Sequence, residues 1–256
     1  MTEDTNKKCG VDGTCCGGAC EECPCQNGET CLKGCNQEFS CGEGCGCDED
    51  FDNCGICGED CVCDDSHNLQ ATIGEPVDDF FVDAFHDGKI KKISLSDYMG
   101  KWVILFFYPA DFTFVCPTEL EDMADYYDKF KALGAEVLSV STDSVFAHKA
   151  WKDCSPAIKK VNFPMLADPT HELADYYNVL VEDEGVARRG TFVIDPDGIL
   201  RIMEINDDSI GRNAKELYRK VQAAKFVREN GANVCPAKWE PGDDAMEPGT
   251  DLVGKI

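Results

Sequence analysis

One cysteine separates an apolar run from the start of a predicted helix in FYPADFTFVCPTEL, residues 107–120. Cys116 directly precedes Pro117, a residue favoured in the first turn of a helix. A thiol in that turn meets unpaired N–H groups and the positive end of the helix dipole, which favour the thiolate. Thr113 can direct a hydroxyl at the group that the sulfur attacks, and an arginine from a distant strand would stabilise a polar oxygen substrate. The alternative is that Cys116 is a small, inert, buried side chain.

A second set of thiols fills the beginning of the chain, where residues 1–63 contain 15 of the 18 cysteines. They recur at Cys-x-Cys and Cys-x-x-x-Cys intervals, which suit about three Cys₄ sites for Zn or Fe, including iron–sulfur binding. A redox relay or a disulfide-linked structural segment are the alternatives. The candidate metal ligands are Cys16, Cys20, Cys23, Cys25, Cys31, Cys35, Cys41, Cys45, Cys47, Cys54, Cys57, Cys61 and Cys63.

Charge and hydrophobicity exclude some functions. The net charge of −25 disfavours binding to nucleic acid or to anionic lipid, which requires clustered Lys and Arg. Residues 1–8 have no apolar core typical of a signal peptide, and no segment approaches about 18 uninterrupted apolar residues. We therefore expect a cytoplasmic protein without membrane spans. Thiols stay mostly reduced in that compartment, so a dense cysteine cluster is more typical of metal binding than of disulfides.

Composition divides the chain into three predicted segments. Residues 1–67 form an acidic, cysteine-rich extension, since residues 1–65 carry 16 acidic and 3 basic side chains. Residues 68–231 alternate predicted strands and helices, which indicates an α/β fold with a mixed central sheet. The main predictions are an entry strand or hairpin at 73–85, a buried strand at 101–109, a helix from Pro117 to Gly134, a strand at 135–143, a hairpin at 191–206 and a long helix ending at Gly231. Residues 232–256 form an arm that must dock on another part of the protein.

Several motifs resemble one known family. YPADFTFVCPTEL matches the Pro-x-x-x-Thr-x-x-Cys motif of the peroxiredoxins, and VCPAKW at 234–239 resembles the resolving-cysteine motif of the typical 2-Cys group. FPMLADPTHELADYYNVL and the final DLVGKI resemble the peroxidase subunits of bacterial alkyl hydroperoxide reductases. The resemblance covers residues 68–256, implies a thioredoxin-like fold and does not extend to the cysteine-rich segment.

The resemblance implies roles for seven residues. By position in the motifs, the peroxide-attacking cysteine is Cys116, the resolving cysteine is Cys235, and the hydroxyl that contacts sulfur and peroxide belongs to Thr113. Pro109 shields the pocket, and Arg189 rather than Arg188 is the family arginine, because it directly precedes the small residue before Thr-Phe. Glu119 resembles a residue that orients the site, and Arg212 a second, more peripheral arginine. The alternative is that Glu119 and Arg212 are only charged residues near the start of a helix.

The implied function is reduction of hydrogen peroxide and organic hydroperoxides, in antioxidant defence and redox homeostasis. Turnover needs no metal; it passes through a Cys116 sulfenic acid and a Cys116–Cys235 disulfide, which a flavin-containing reductase or thioredoxin reopens. The family forms homodimers and often rings of dimers. Neither the Gly-Gly-Leu-Gly loop nor the terminal Tyr-Phe pair of over-oxidation-sensitive members occurs, so we expect a robust enzyme. Cys154 is expected to be a bystander. The competing hypothesis is a metal-binding or metal-storage protein on a peroxiredoxin platform.

Overall fold

The computed structural model describes residues 70–255. They form a seven-stranded sheet, a separate two-stranded ribbon and four α-helices. The strands are β1 (Phe81–His86), β2 (Lys89–Ser94), β3 (Trp102–Phe107), β4 (Ala135–Ser141), β5 (Met165–Ala167), β6 (Leu180–Val181), β7 (Val186–Ala187), β8 (Arg189–Ile194) and β9 (Leu200–Asn206). The helices are α1 (Cys116–Ala132), α2 (Val145–Cys154), α3 (Glu172–Tyr176) and α4 (Ala214–Asn230).

Seven strands form one mixed sheet in the order β2-β1-β5-β4-β3-β8-β9. β3 pairs in parallel with β4 and antiparallel with β8, so its backbone groups are satisfied on both sides. All six residues of β3 are buried, as a strand covered on both faces requires. The expected central strand and the expected mixed α/β sheet are therefore confirmed.

The sheet separates two hydrophobic cores. Successive side chains of a strand point to opposite faces, and β3 divides its apolar residues accordingly. Trp102, Ile104 and Phe106 belong to the core that includes residues of α1 and α4, whereas Val103, Leu105 and Phe107 belong to the core on the opposite face. Cys116 lies in the first of these cores.

Local residues explain where the two long helices begin and end. Pro117 occupies the first turn of α1, and Gly134 follows its end with a φ of 79°. Asn213 caps α4, because its side-chain oxygen accepts hydrogen bonds from the backbone N–H groups of Lys215 and Glu216. Both predicted helices are confirmed, and so is the hairpin of β8 and β9, whose turn contains Gly198 at a φ of 84°.

The region before β3 differs from the sequence-based expectation. Residues 73–85 were expected to form a strand or a hairpin by themselves, but β1 begins only at Phe81 and pairs with β2, which the sequence analysis did not assign. The sequence of β2, KIKKIS, is rich in lysine, and its first four residues are exposed. An edge strand with solvated lysines lacks the apolar alternation on which strand prediction depends.

The arm after α4 packs against that helix. Trp239 is buried and its ring lies 4.7 Å from the ring of Phe226, while Arg219 donates to the Trp239 carbonyl oxygen at 2.9 Å. Val234 and Met246 form an isolated antiparallel bridge within the arm. The expectation that the arm docks on another part of the fold is met by this contact with α4. The proposed division at residue 67 involves the N-terminal segment, which lies outside the described residues.

Candidate active site

The position of Cys116 follows from the end of β3. The chain leaves the sheet at Phe107, passes Pro109 and turns through a short loop before α1 begins at Cys116. The side chain is fully buried, at 0 % exposure, and it occupies the N-terminal end of a 17-residue helix. The partial positive charge of a helix is concentrated at that end, and it stabilises an anionic sulfur.

Arg189 brings a permanent positive charge to this sulfur. Its Nη1 lies 3.4 Å from Cys116 Sγ, and its Nε donates to the Asp208 carbonyl oxygen at 2.9 Å. Arg189 is buried, whereas the neighbouring Arg188 is exposed and makes no contact with the sulfur. The residue after Arg189 must be glycine at this packing density, because a Cβ on Gly190 would lie 2.8 Å from the side chains of Phe192 and Val179.

Glu119 lies one turn after Cys116 and holds Arg189 in place. Its Oε2 accepts from Arg189 Nη1 at 2.6 Å, and its Oε1 accepts from Arg212 Nε at 2.9 Å. Burial alone raises the pKa of this carboxyl, but the hydrogen bonds and charges of the two arginines outweigh burial and hold the pKa below its ordinary value. Glu119 is therefore an ionised, buried carboxylate shared by two guanidinium groups, which goes beyond a surface complement to the helix dipole.

Arg212 is also buried, with a side-chain exposure of 4 %. Its Nη1 donates to the Gly190 carbonyl oxygen at 2.7 Å and to Thr191 Oγ1 at 3.0 Å, and its guanidinium carbon lies 3.5 Å from the Phe106 ring centroid. These contacts place Arg212 against Glu119 and β8, whereas Arg189 contacts the sulfur itself. Arg212 fixes Glu119, and Glu119 fixes Arg189 beside the sulfur.

Pro109 and Thr113 lie in the loop between β3 and α1, and both are half-buried. The Thr113 hydroxyl donates to the Ala110 carbonyl oxygen at 2.8 Å. In this structure the hydroxyl therefore closes its own loop, and no hydrogen bond between Thr113 and Cys116 is present among the described residues. Its role toward peroxide stays a prediction.

The other two cysteines of the described part lie elsewhere. Cys235 lies in the arm after α4, with its sulfur 3.9 Å from the Ala223 carbonyl oxygen, and it lines a cavity of about 820 Å³. Burial raises the pKa of the Cys235 thiol, and the charge of Arg219 acts in the opposite direction. Cys154 is exposed at the end of α2, and all three cysteines are free thiols. The structure thus shows a reduced form in which Cys116 and Cys235 are not bonded to each other.

Two ionisable side chains beside the Cys116 loop were not predicted from the sequence. Asp111 belongs to the loop itself, and its carboxylate lies 2.8 Å from His148 Nδ1 on α2. Both side chains are buried. The spacing of Val145, His148 and Trp151 along α2 is the pattern that could have revealed a histidine on the buried face of a helix.

The candidate metal ligands among Cys16 to Cys63 all lie outside the described residues. Between residues 70 and 255 there is no group of three or more His, Cys, Asp or Glu side chains arranged to hold a metal ion. Within the same range, none of the helices has the length and apolar character needed to cross a membrane.

A buried cysteine at a helix N-terminus, beside a buried arginine on an α/β sheet, defines the class of thiol-dependent peroxidases. Comparisons with known proteins specify the family. A family model described as the AhpC/TSA family matches residues 73–203, and one described as the C-terminal domain of 1-Cys peroxiredoxin matches residues 223–255. The chain belongs to the AhpC/TSA family of peroxiredoxins.

Individual relatives agree with this assignment. The chain is 51 % identical over 185 residues to alkyl hydroperoxide reductase C of Amphibacillus xylanus, which covers 72 % of this chain and 98 % of the relative. It is 50 % identical over 184 residues to the protein of that name from Bacillus subtilis, with the same coverage of both chains. The crystal structure of Enterococcus faecalis AhpC has 50 % identity and a TM-score of 0.63, and covers 65 % of this chain and 100 % of its own.

A more distant structure has the same fold. The reduced 2-Cys peroxiredoxin of Plasmodium vivax is 34 % identical, with a TM-score of 0.67, and the match covers 70 % of this chain and 94 % of that one. The predicted thioredoxin-like peroxiredoxin fold is thereby confirmed for the described part of the chain.

Proposed function

We propose that this protein is a thiol peroxidase that reduces hydrogen peroxide and organic hydroperoxides, with Cys116 as the attacking nucleophile. The observation that carries the proposal is the position of the Cys116 sulfur at the start of α1, 3.4 Å from Arg189 Nη1. The helix N-terminus and the guanidinium place positive charge beside the sulfur, and the thiolate is the reactive form of a cysteine side chain. The family membership of the chain and its alkyl hydroperoxide reductase relatives support the same activity.

The first step is an attack of the thiolate on one oxygen of the peroxide. The S–O bond forms as the O–O bond breaks, so the sulfur is oxidised to a sulfenic acid and the peroxide is reduced to water or an alcohol. The departing oxygen carries negative charge and takes up a proton from water. Arg189 can stabilise that charge by donating hydrogen bonds, and Glu119 keeps the guanidinium oriented while it does so.

The second step joins two sulfurs. The Cys235 thiol attacks the Cys116 sulfenic acid, a disulfide forms, and water leaves. Because Cys116 is fully buried, its sulfur must leave the closed site before it meets another sulfur. Cys235 borders an open cavity, so a second sulfur has access to it. By analogy with the family, we infer that the bond joins two subunits of a homodimer, which assembles further into a ring of dimers.

The third step returns both thiols. A dithiol reductase opens the disulfide by two exchange reactions, and its own dithiol becomes a disulfide. The alkyl hydroperoxide reductase relatives favour a flavin-containing partner, and thioredoxin is the alternative. These steps use only thiol chemistry, so we propose that turnover needs no metal or organic cofactor. A cytoplasmic location would supply such reductases.

Two serine variants test this proposal. Cys116→Ser should abolish peroxide consumption, because a hydroxyl is far less acidic and less nucleophilic than a thiol. Cys235→Ser should still react with one equivalent of peroxide and then stop as the sulfenic acid, which a dimedone adduct detects by mass spectrometry. Cys154→Ser is the matched control and should leave both steps unchanged. Sustained peroxide turnover by the Cys116→Ser protein would refute the proposal.

A further inference from the structure

A buried polar network ties the loop of residues 108–115 to helix α2, and none of its members takes part in the steps above. Asp111 Oδ1 accepts from the Tyr108 hydroxyl at 2.8 Å, and Asp111 Oδ2 lies 2.8 Å from His148 Nδ1. His148 Nε2 lies 3.1 Å from the Leu166 carbonyl oxygen in β5. The side chains of His148 and Asp111 are 0 % and 1 % exposed. The loop that leads to Cys116 is thus bonded to two other elements of the fold.

The network requires every one of its members. A carbonyl oxygen only accepts hydrogen bonds, so His148 Nε2 must carry a proton toward Leu166. The contact of Nδ1 with the Asp111 carboxyl needs a further proton between them. Tyr108 and Trp151 belong to the apolar core beside this pair, so a partner lost from the network leaves the remaining polar groups buried and unpaired. Losing one partner therefore favours a form in which the loop opens and exposes the others to water.

Opening of this loop displaces Cys116, because the loop ends at the first residue of α1. Within the loop itself, the Thr113 hydroxyl donates to the Ala110 carbonyl oxygen at 2.8 Å. Phe112 has a φ of 58°, which side-chain-bearing residues rarely adopt, and its side chain is exposed. Two backbone donors also anchor it: the Asp111 N–H donates to Asp143 Oδ2 at 2.8 Å, and the Tyr108 N–H donates to the Val140 carbonyl oxygen at 3.0 Å.

We propose that Asp111 and His148 are positioning residues for Cys116. They stabilise the closed loop, in which the sulfur meets Arg189, against an open loop, in which Cys116 is released for its next partner. The inference rests on the proposed role of Cys116 as the peroxide-reactive thiol. The first step of turnover requires the closed loop and the second step requires the open loop. The Asp111–His148 pair sets the equilibrium between these two forms.

The two states can be distinguished by two reagents. Hydrogen peroxide reacts fastest in the closed site, where Arg189 is in place. N-ethylmaleimide is too large to reach a fully buried sulfur, so it reports the open state. A variant that weakens the network should therefore react more slowly with peroxide and faster with the maleimide. A general loss of thiol reactivity would lower both rates together.

The experiment uses the reduced full-length chain and three variants. Asp111→Ala removes the acceptor, and His148→Gln can reach only one of the two partners of the histidine. Asp111→Asn is the conservative control. Its amide oxygen can accept from Tyr108 while its N–H donates to a neutral His148, whose Nε2 still donates to Leu166. Alkylation is followed at the Cys116 peptide by mass spectrometry, and the exposed Cys154 thiol on α2 serves as an internal reference.

We expect the alanine and glutamine variants to lose about tenfold or more in the rate constant of Cys116 with peroxide. We expect alkylation of Cys116 to rise about tenfold, with no change at Cys154. The asparagine variant should remain close to wild type in both rates. Wild-type rates in the alanine and glutamine variants would overturn the inference, as would two rates that fall together or an asparagine variant as impaired as the alanine one.

Failure of the proposed function is distinguishable from failure of this inference. If wild-type Cys116 does not react with peroxide, the proposed function is wrong, while the alkylation rates still report the loop. If the alanine variant does not fold, the glutamine variant carries the same comparison.

Discussion

Replacing Arg189 by lysine tests the site without removing its charge. The arginine makes three polar contacts, with Cys116 Sγ at 3.4 Å, with Glu119 Oε2 at 2.6 Å and with the Asp208 carbonyl oxygen at 2.9 Å. The first two come from Nη1 and the third from Nε. Lysine has one nitrogen on a flexible stem, and one nitrogen cannot occupy both of these positions. Without the anchor from Nε to the Asp208 carbonyl oxygen, the flexible stem no longer holds the nitrogen at the Nη1 position. We expect the ammonium group to follow the Glu119 carboxylate and to move out of hydrogen-bond distance of the sulfur.

The expected magnitude follows from the contact that is lost. A hydrogen bond to a charged group contributes about 1.5–3 kcal/mol. Because each ~1.4 kcal/mol of barrier changes a rate tenfold, the rate constant of Cys116 with hydrogen peroxide should fall about 10-fold to 150-fold. The assay is a stopped-flow measurement on the reduced protein, which isolates the first step from reductase and disulfide formation.

Arg188→Lys is the matched control, since it makes the same change one residue earlier on an exposed side chain. Its rate constant should stay within about twofold of wild type, as is usual for a surface substitution. Thermal unfolding monitored by circular dichroism verifies that both variants fold. A wild-type rate in Arg189→Lys, or equal losses in the two variants, would refute the role given to Arg189.

Three further predictions concern pH, over-oxidation and metal. The lowered pKa of Glu119 means that its ionised form stabilises the fold above the unfolded-state pKa of about 4.3, and that this stability is lost as the pH falls through the lower folded-state value. In urea unfolding, Glu119→Gln should be less stable than wild type at pH 7, by about 3–5 kcal/mol, yet less sensitive to acid; an unchanged acid slope would contradict the shift. Mass spectrometry after turnover at low peroxide should find Cys116 without sulfinic acid, because the loop after Trp151 reads KDCSPAIKKVNFP and lacks the Gly-Gly-Leu-Gly sequence of over-oxidation-sensitive members. Early sulfinylation of Cys116 would show that this prediction is wrong. Metal analysis of the anaerobically purified chain should find about three Zn or Fe ions, and chelation should leave peroxide consumption intact; loss of activity on chelation would favour the metal-dependent alternative.

Much of the fold could be predicted because its central elements have strong local patterns. The uninterrupted apolar run of β3 and the Pro and Gly at the ends of α1 indicate the same elements that the structure contains. β2 could not be predicted in this way. It is an edge strand with three lysines among its six residues, and its pairing with β1 depends on a neighbour rather than on its own residues.

The sequence by itself determined which residue types are available for chemistry near Cys116. A cysteine before Pro117, a threonine in the preceding loop and an Arg-Arg pair far along the chain are visible as letters, and motif order selects Arg189. Sequence also determined that residues 1–65 are acidic and rich in thiols, since amino-acid composition does not depend on the fold.

Only the tertiary structure decided which of these side chains meet. Arg189 contacts a sulfur 73 positions away, and Glu119 receives Arg212 from 93 positions away. The Asp111–His148 pair likewise forms only because α2 packs over the loop. The physical reason is that local patterns determine helices and strands, whereas the burial of a charge depends on partners that only the packed sheet and helices bring together.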